Sequence, residues 1–255
     1  MNDNAKDLTS TQRLARQLGL VGLLAHWSEV PADLAERMVN WEEQTRSQRS
    51  LGRRVAGAHL GRFKAMADFD WTWPKKPDRE VLDDLFGLDF VRVASNAILV
   101  GANGTGKTMI TKNLVHKAVT AGFRARFVTA SDMLADLAQA TAPATRQRRL
   151  RRYTRPDLLA IDEVGYLSYD NRHADLLFEV INGRYQRRST IVTTNMPFSQ
   201  WPTVFPTATC VVTLVDRLTH HAEIVHIVAE SYRQHEAREQ ELARAGARDQ
   251  KRRAK

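Results

Sequence analysis

The chain begins with helical periodicity. Over residues 1–68, apolar residues recur every three or four positions, which is the spacing of one helix face. The stretch STQRLARQLGLVGLLAHW (10–27) predicts a first helix, and a longer pattern runs from Pro31 to Val55. The second helix is predicted to weaken or divide at the glycines at 52, 57 and 61. We therefore predict a small all-helical N-terminal domain over residues 1–68.

From about residue 79, short apolar runs alternate with helical patterns. The predicted strands are NAILVG (96–101), FRARFVTA (123–130), DLLAID (157–162), STIVTTN (189–195) and ATCVVTLV (208–215). Helical patterns precede the first run and follow each of the first three. Strands that alternate with helices predict an α/β fold, with a parallel sheet covered by helices on both faces.

Composition marks the segments on either side of this core. DFDWTWPKKPD (68–78) is rich in aromatic residues and prolines and predicts a linker over residues 69–78. The linker residues expected to pack against the protein are Phe69, Trp71 and Trp73. The segment 236–255 is charged and predicts a fraying basic tail, which leaves residues 79–235 as the core.

The overall composition is that of a globular protein in a reducing compartment. Hydrophobic residues make up 43% of the chain and charged residues 26%, which is ordinary. The one cysteine, Cys210, cannot form a disulfide within the chain. The sequence has neither a signal-peptide pattern nor a run of about 18 apolar residues. We expect a cytoplasmic protein without a membrane span.

A glycine-rich motif follows the first predicted strand. GANGTGKT (101–108) fits the pattern G-x-x-x-x-G-K-[ST], whose glycines let successive N–H groups point at one phosphate. Lys107 would reach the β- and γ-phosphates, and Thr108 would bind Mg²⁺. A chance glycine turn is the alternative, but the strand before and the helix after the motif argue against it. The predicted nucleotide-binding residues of this motif are Gly101, Ala102, Asn103, Gly104, Thr105, Gly106, Lys107, Thr108 and Met109.

Two acids end the third predicted strand, LLAIDE (158–163). Asp162 would lie beside the Mg²⁺ bound by Thr108, and Glu163 would act as general base toward the attacking water. Acids are also common turn residues after a strand, but the upstream phosphate motif favours the catalytic interpretation. The second acid indicates hydrolysis, and the absence of an N-K-x-D motif favours ATP over GTP.

Two further residues extend the candidate site. Asn195 ends a predicted strand and could hydrogen-bond the γ-phosphate or the attacking water, although asparagine after a strand is usually a turn former. Arg217 follows the last predicted strand, and arginine can neutralise transition-state charge from a neighbouring subunit. The alternative for Arg217 is a surface ion pair with Asp216.

The chain resembles the IstB-type transposition helper ATPases, relatives of the DnaC helicase loaders within the AAA+ class. The resemblance rests on GANGTGKT, LLAIDEVGYL, STIVTTNMPFSQW and VDRLTHHAEIVHIVAESYR, of which the last two discriminate. It implies an AAA+ core without a C-terminal lid domain. It also implies that Arg217 is an arginine finger acting in trans across a homo-oligomer, with ATP at the subunit interfaces. By the same resemblance, Arg233 contacts the phosphates in cis. MITKN after the phosphate loop departs from the histidine and leucine frequent there, and this affects no catalytic group.

The net charge of +9 predicts a polyanionic partner, with nucleic acid ahead of an anionic membrane surface. Positive charge is concentrated in residues 44–64 and 139–156, which contain no acids. The first segment places arginines on one helix face. Contacts are expected to reach phosphates, so binding should tolerate sequence and depend on salt. The predicted DNA contacts are Arg46, Arg49, Arg53, Arg54, Arg146, Arg148, Arg149, Arg151 and Arg152.

These predictions combine into one hypothesis. The chain is expected to be an ATPase that uses Mg²⁺, assembles on DNA and assists the transposase of an insertion sequence. Double-stranded DNA and the cognate transposase are the partners that the resemblance implies. A helicase loader acting on single-stranded DNA is one alternative. A non-catalytic DNA scaffold that uses ATP as a structural ligand is another.

Overall fold

The computed structural model of the chain describes residues 8–71, 79–165, 171–205 and 210–232. The chain divides into two compact units, residues 1–53 and 54–255. Most of the predicted linker, the predicted basic tail and Arg233 lie outside the described residues. No helix in the described ranges has the length and apolar character needed to cross a membrane.

Helices form the described part of the first unit. They are α1 (Ser10–Gln17), α2 (Val21–Ala25), a 3₁₀ turn (Trp27–Glu29) and α3 (Ala32–Ala58), whose last turn reaches into the second unit. A capping box starts α1, since the Thr9 hydroxyl accepts from the Gln12 backbone and the Gln12 side chain accepts from the Thr9 backbone. The predicted first helix is divided at Gly19, which has a φ of +67°. The predicted break in the second helix is wrong, because α3 continues through Gly52 and Gly57.

Five parallel strands form the sheet of the second unit. They are β1 (Asn96–Gly101), β2 (Ala125–Thr129), β3 (Leu158–Val164), β4 (Ser189–Thr194) and β5 (Ala222–Ile227). Their order across the sheet is β2-β3-β4-β1-β5. Because every pair is parallel, the carboxyl ends of all five strands meet at one edge of the sheet.

Helices cover both faces of this sheet, as predicted. They are α4 (Arg79–Gly87), α5 (Asp89–Arg92), α6 (Lys107–Thr120), α7 (Ala130–Ala138), α8 (Pro143–Thr154), α9 (Asn171–Arg184), α10 (Trp201–Val204) and α11 (Val211–Thr219). Successive strand residues point to opposite faces, so Ile98 packs with α7, α9 and α11 whereas Leu99 packs with α4 and α6. Each face of the sheet packs against one of the two apolar cores. Because both faces are covered, polar strand residues lie mainly at the strand ends.

The last predicted strand is wrong. The sequence predicts a strand over residues 208–215, but residues 211–215 lie in helix α11 and Cys210 is its N-cap. Its buried residues Val211, Leu214 and Leu218 follow helical spacing, while Val212 is 78% exposed. A short continuous apolar run fits a buried strand or a helix equally well, and this one is helical. The fifth strand is β5, which lies at the sheet edge and exposes Glu223 and His226.

Arg184 joins three elements at the amino ends of the strands. Its buried guanidinium donates hydrogen bonds to the backbone oxygens of Tyr153 at 2.8 Å and Pro156 at 2.9 Å, and to the hydroxyl of Thr190 at 3.1 Å. Burial and the charge of Arg188 lower the pKa of Arg184 to about 9, which leaves it protonated at neutral pH. The end of α8 is thereby held against the starts of β3 and β4.

Candidate functional site

The phosphate loop connects β1 to α6 at the carboxyl edge of the sheet. Gly104 and Gly106 adopt φ values of +80° and +95°, a region that side-chain-bearing residues rarely enter. A Cβ on Gly106 would lie 2.7 Å from the Phe69 ring, and a Cβ on Gly104 would clash with the Ser231 hydroxyl. Glycine at these positions therefore serves both the turn and the close approach of neighbouring segments.

The Lys107 ammonium is held by the loop itself. Lys107 is buried, and its Nζ donates to the carbonyl oxygens of Gly101 and Ala102, each at 2.7 Å. The Thr105 hydroxyl also donates to Ala102, at 2.9 Å, which closes the loop on itself. The loop thus wraps around one positive charge at the amino end of a 14-residue helix. This is the electrostatic arrangement that binds phosphate.

Asp162 connects the phosphate loop to the centre of the sheet. It is 2% exposed, and its two carboxylate oxygens accept from the hydroxyls of Thr108 at 2.9 Å and Thr193 at 2.5 Å. Thr108 and Asp162, the two residues predicted to lie beside one Mg²⁺, are therefore in direct contact. Sequence analysis missed Thr193, although a polar residue inside a fully buried strand was a signal that could have identified it.

Glu163 has a backbone conformation unusual for its residue type. Its φ is +62°, and the pairing of β3 with β4 shifts register between Ile161 and Val164. The shift is a β-bulge, which re-aims a side chain at the end of a strand. The Glu163 side chain is exposed and lines the same cavity as the phosphate loop. The two predicted acids are thus adjacent in sequence but differently placed, one buried and one open to the cavity.

The cavity has a volume of about 370 Å³ and brings most of the predicted site together. Its lining includes loop residues 103–109, Glu163 and Asn195. Gly101 and Ala102 do not line the cavity, but their carbonyl oxygens accept hydrogen bonds from Lys107, which does. A further wall was not predicted from the sequence and comes from six residues: Arg62, Phe63, Lys64, Asp68, Phe69 and Asp70. Hydrogen bonds of Asn113 on α6 to Lys64 and Met66 hold this segment in place.

The predicted packing of the linker aromatics is confirmed for the two that the structure describes. The rings of Phe69 and Trp71 meet edge to face at 4.9 Å, and both pack against the core. Trp73 lies outside the described residues. The stretch LDFVRVASN (88–96), which precedes β1, supplies no lining residue to the cavity.

The segment after β5 also reaches the phosphate loop. The Tyr232 backbone N–H donates to the carbonyl oxygen of Gly104 at 3.0 Å, and Tyr232 lines the cavity. Arg233 follows directly in the sequence but lies outside the described residues. Its predicted contact with the phosphates stays a prediction.

The residues present fit a magnesium–nucleotide complex. The cavity lies in the size range of small-molecule sites, and its glycine cradle and buried ammonium suit a polyphosphate. Thr108 and Asp162 offer a hydroxyl and a carboxylate oxygen, which are ligands that Mg²⁺ prefers. The described residues contain no cluster of three or more His, Cys, Asp or Glu suited to a metal ion. Mg²⁺ is usually held by one or two carboxylates together with phosphates and water, and Thr108 and Asp162 are the residues that could hold it here.

Arg217 is not part of this cavity. It lies in the last turn of α11, and the Asn96 side chain donates to the backbone oxygens of Arg217 at 3.5 Å and Leu218 at 3.0 Å. Since Asn96 begins β1 and the phosphate loop follows its end, the Arg217 backbone lies at the opposite edge of the sheet. Its guanidinium hydrogen-bonds Asn182 and stacks over the rings of Phe178 at 4.9 Å and Tyr185 at 5.6 Å. The ion pair with Asp216, considered from the sequence, does not form among the described residues.

The arginines of α8 form two rows. Arg149 and Arg152 pair with Asp136, and Arg146 pairs with Glu179 at 2.6 Å. Arg148 and Arg151 lie between them in the sequence and form no ion pair within the described ranges. Arg155, which sequence analysis did not single out, follows the same row as Arg148 and Arg151.

The basic face of α3 shows a similar division. Arg46 pairs with Glu42 at 2.5 Å and donates to the backbone of Leu18, and Arg54 donates to the backbone oxygen of Val119 at 2.9 Å. Arg49 and Arg53 form no ion pair with any residue that the structure describes. Each predicted basic set thus contains arginines with an acidic or backbone partner and arginines without an ion pair among the described residues.

Comparison with known proteins identifies the family. The model of the family described as IstB-like ATP binding protein matches residues 15–240. The chain belongs to this family. An IS21 insertion sequence ATP-binding protein of Pseudomonas aeruginosa is 36% identical over 193 residues, covering 76% of this chain and 73% of the relative. An IS232 insertion sequence ATP-binding protein of Bacillus thuringiensis is 32% identical over 197 residues, covering 77% of this chain and 79% of the relative.

Solved structures with a similar fold agree with the observed architecture. DnaI superposes with a TM-score of 0.55 at 15% identity, covering 68% of this chain and 91% of that chain. The replication initiator DnaA, bound to AMPPCP and single-stranded DNA, gives a TM-score of 0.54 at 20% identity. The match covers 65% of this chain and 50% of the DnaA chain. At such identities the likeness establishes the fold, and the predicted AAA+ core with a phosphate loop is confirmed.

The contact between Gly106 and Phe69 predicts the effect of adding a methyl group to the loop. Gly106→Ala should weaken ATP binding by about tenfold or more, because the new Cβ strains a left-handed residue and pushes Phe69 toward the cavity. Titration with a fluorescent ATP analogue measures the change. Gly122→Ala is the control, since Gly122 has a φ of +102° but no atom within 4 Å of an added Cβ. Equal affinity in both variants would contradict the role of the contact.

Proposed function

We propose that this chain hydrolyses ATP and, with ATP bound between subunits, assembles on double-stranded DNA to assist the transposase of an insertion sequence. The observation that carries the proposal is the placement of Glu163 on the same cavity as the phosphate loop, directly after an Asp162 that contacts Thr108. Nucleotide binding alone would need the loop but not an exposed carboxylate aimed into the cavity.

Each group has a role in hydrolysis. Glu163 accepts a proton from water, whose oxygen forms a bond to the γ-phosphorus as the bond to the bridging oxygen breaks and ADP leaves. Lys107 stabilises the charge on the phosphates, and Asn195 orients the γ-phosphate or the water. Thr108 and Asp162 would hold Mg²⁺, which neutralises the triphosphate when bound. Arg233, as a cis contact to the phosphates, remains part of the proposal.

Arg217 serves the site of a neighbouring subunit in this proposal. Its backbone lies at the amino edge of the sheet, away from the phosphate loop of its own chain. A contact between the Arg217 surface of one copy and the cavity of the next is heterologous and generates a ring or a helical filament. ATP then lies at the subunit interface, so nucleotide binding and assembly occur together.

DNA is the partner that the unpaired arginines favour. Arg148 and Arg151 on α8, and Arg49 and Arg53 on α3, carry positive charge that no acid of the described chain neutralises. Arginines arranged in this way contact phosphates without reading base sequence. The paired residues of the predicted set, Arg46, Arg54, Arg146, Arg149 and Arg152, position these helices instead. We propose the cytoplasm as the place where this function is carried out.

The link to transposition is supported by the relatives. Those from Pseudomonas aeruginosa and Bacillus thuringiensis are named as ATP-binding proteins of insertion sequences. By analogy with these relatives, the proposed partner is the transposase of the same insertion sequence. We therefore propose that the ATP-bound assembly presents duplex DNA to the transposase.

Binding and hydrolysis should separate in two variants. Lys107→Ala should abolish ATP binding and ATP-dependent assembly on DNA, because the charge at the centre of the loop is lost. Glu163→Gln should keep ATP binding and reduce turnover by at least about 100-fold, because the base is lost while the loop is intact. Phosphate release and nucleotide affinity are measured on the same preparations. A Glu163→Gln protein that turns over ATP at the native rate would refute the assignment of the base.

The trans role of Arg217 predicts complementation between two inactive chains. Arg217→Ala leaves its own cavity intact, and Glu163→Gln leaves its own Arg217 intact. Mixed in equal amounts, they should regain about a quarter of the native ATPase rate, by random pairing across heterologous interfaces. Steady-state ATP hydrolysis with duplex DNA present measures the recovery. A mixture as inactive as its components would mean that Arg217 has no role in trans.

The two arginine rows of α8 predict different DNA effects. Replacing both Arg148 and Arg151 with alanine should lower the slope of log affinity against log salt by about 2, one for each lost phosphate contact. Lys117→Ala, which removes an exposed charge on α6, is the control and should leave the slope unchanged. Fluorescence anisotropy with duplex and single-stranded oligonucleotides measures both. An unchanged slope in the double variant would exclude α8 from the DNA interface, and preference for single strands would favour a helicase loader.

A further inference from the structure

Thr193 occupies a central position between the two acids. It lies on β4, two residues before Asn195, and its side chain is fully buried. Its hydroxyl donates to the Asp162 carboxylate at 2.5 Å and accepts from the backbone N–H of Glu163 at 2.9 Å. A threonine hydroxyl has one proton to donate, so the directions of these two hydrogen bonds are fixed. One atom therefore contacts both acids.

The β-bulge explains why a hydroxyl is needed at this place. In a regular parallel ladder the Glu163 N–H would donate to a backbone oxygen of β4. The register shift between Ile161 and Val164 interrupts that pairing, and the Thr193 hydroxyl takes up the N–H instead. The same interruption allows the left-handed φ of +62° that directs Glu163 toward the cavity.

We infer that Thr193 is a positioning residue for hydrolysis, which fixes the backbone of the general base and the orientation of the magnesium carboxylate through one hydroxyl. The inference rests on the proposed role of Glu163 as the base. Thr193 also lines the cavity. Its expected effect is nevertheless on the chemical step rather than on nucleotide affinity, since the phosphate loop and Lys107 make their contacts without it. A non-glycine residue with a positive φ, such as Glu163, keeps that strained conformation only where neighbouring groups hold it. The hydrogen bond from the Glu163 N–H to the Thr193 hydroxyl is such a contact.

The test compares two substitutions of the same residue. Thr193→Val keeps the shape but removes the hydroxyl, and should lower kcat by about 10- to 100-fold, the range expected for one lost buried hydrogen bond. The KM for ATP and the affinity for a non-hydrolysable ATP analogue should stay within about twofold, because the loop is intact. Thr193→Ser keeps the hydroxyl and should restore most of the turnover. A purely structural role would not produce this separation of kcat from KM together with rescue by serine.

Thr190→Val is the matched control. Thr190 is a second buried threonine of β4, but it accepts from Arg184 at the other end of the strand. Its loss should lower stability without changing the kcat of the folded protein. If Thr193→Val does not fold, Thr193→Ala removes the same hydroxyl with less bulk and carries the same expectation.

Three results would overturn the inference: native kcat in Thr193→Val, equal loss of kcat in Thr190→Val, or loss of nucleotide affinity together with kcat. Failure of the proposed function would look different. It would be seen as no ATP turnover by the native protein with DNA, or as native turnover in Glu163→Gln.

Discussion

The candidate site depends on a buried carboxylate that bonds to two different elements. Asp162 accepts from Thr108 at the start of α6 and from Thr193 near the end of β4. A buried carboxylate left without partners is costly, so the helix, its own strand and the neighbouring strand are held in one relative position. The phosphate loop, which precedes α6, therefore keeps a fixed distance from Glu163. Groups that are held in this way before a nucleotide binds need no rearrangement to receive it.

A second constraint comes from the parallel sheet. Parallel pairing collects the loop, both acids and Asn195 at the carboxyl edge, and it leaves the start of β1 at the other edge. The Arg217 backbone lies at that second edge, because the Asn96 side chain hydrogen-bonds the backbone oxygens of Arg217 and Leu218. Six strand residues separate the two edges, about 16 Å at the usual rise per residue. The role proposed for Arg217 at the site of another copy rests on this separation.

Sequence reasoning succeeded where chemistry needs particular residue types in a fixed order. The loop, both acids and four of the five strands follow from glycine spacing and from apolar runs that end in polar residues. It failed at residues 208–215, because a short apolar run with valines suits either element and only the packing of Val211, Leu214 and Leu218 decides. It also missed Thr193 and the wall from residues 62–70. Their roles depend on contacts between segments far apart in the chain, which periodicity does not record.

The positive charge of the chain also acquires meaning only through its partners. On α8 one row of arginines is neutralised by Asp136 and Glu179, and Asp136 accepts in addition from Tyr153 at 2.8 Å. Burial, together with this carboxylate, raises the pKa of Tyr153 to about 12, so the phenol keeps its proton and the hydrogen bond. The helix is therefore fixed to α7 and α9 on one side, while Arg184 holds its end against the strands. Since α8 is followed in the chain by β3, whose last residues include Asp162 and Glu163, the contacts that fix α8 also fix the start of the strand that carries the acid pair.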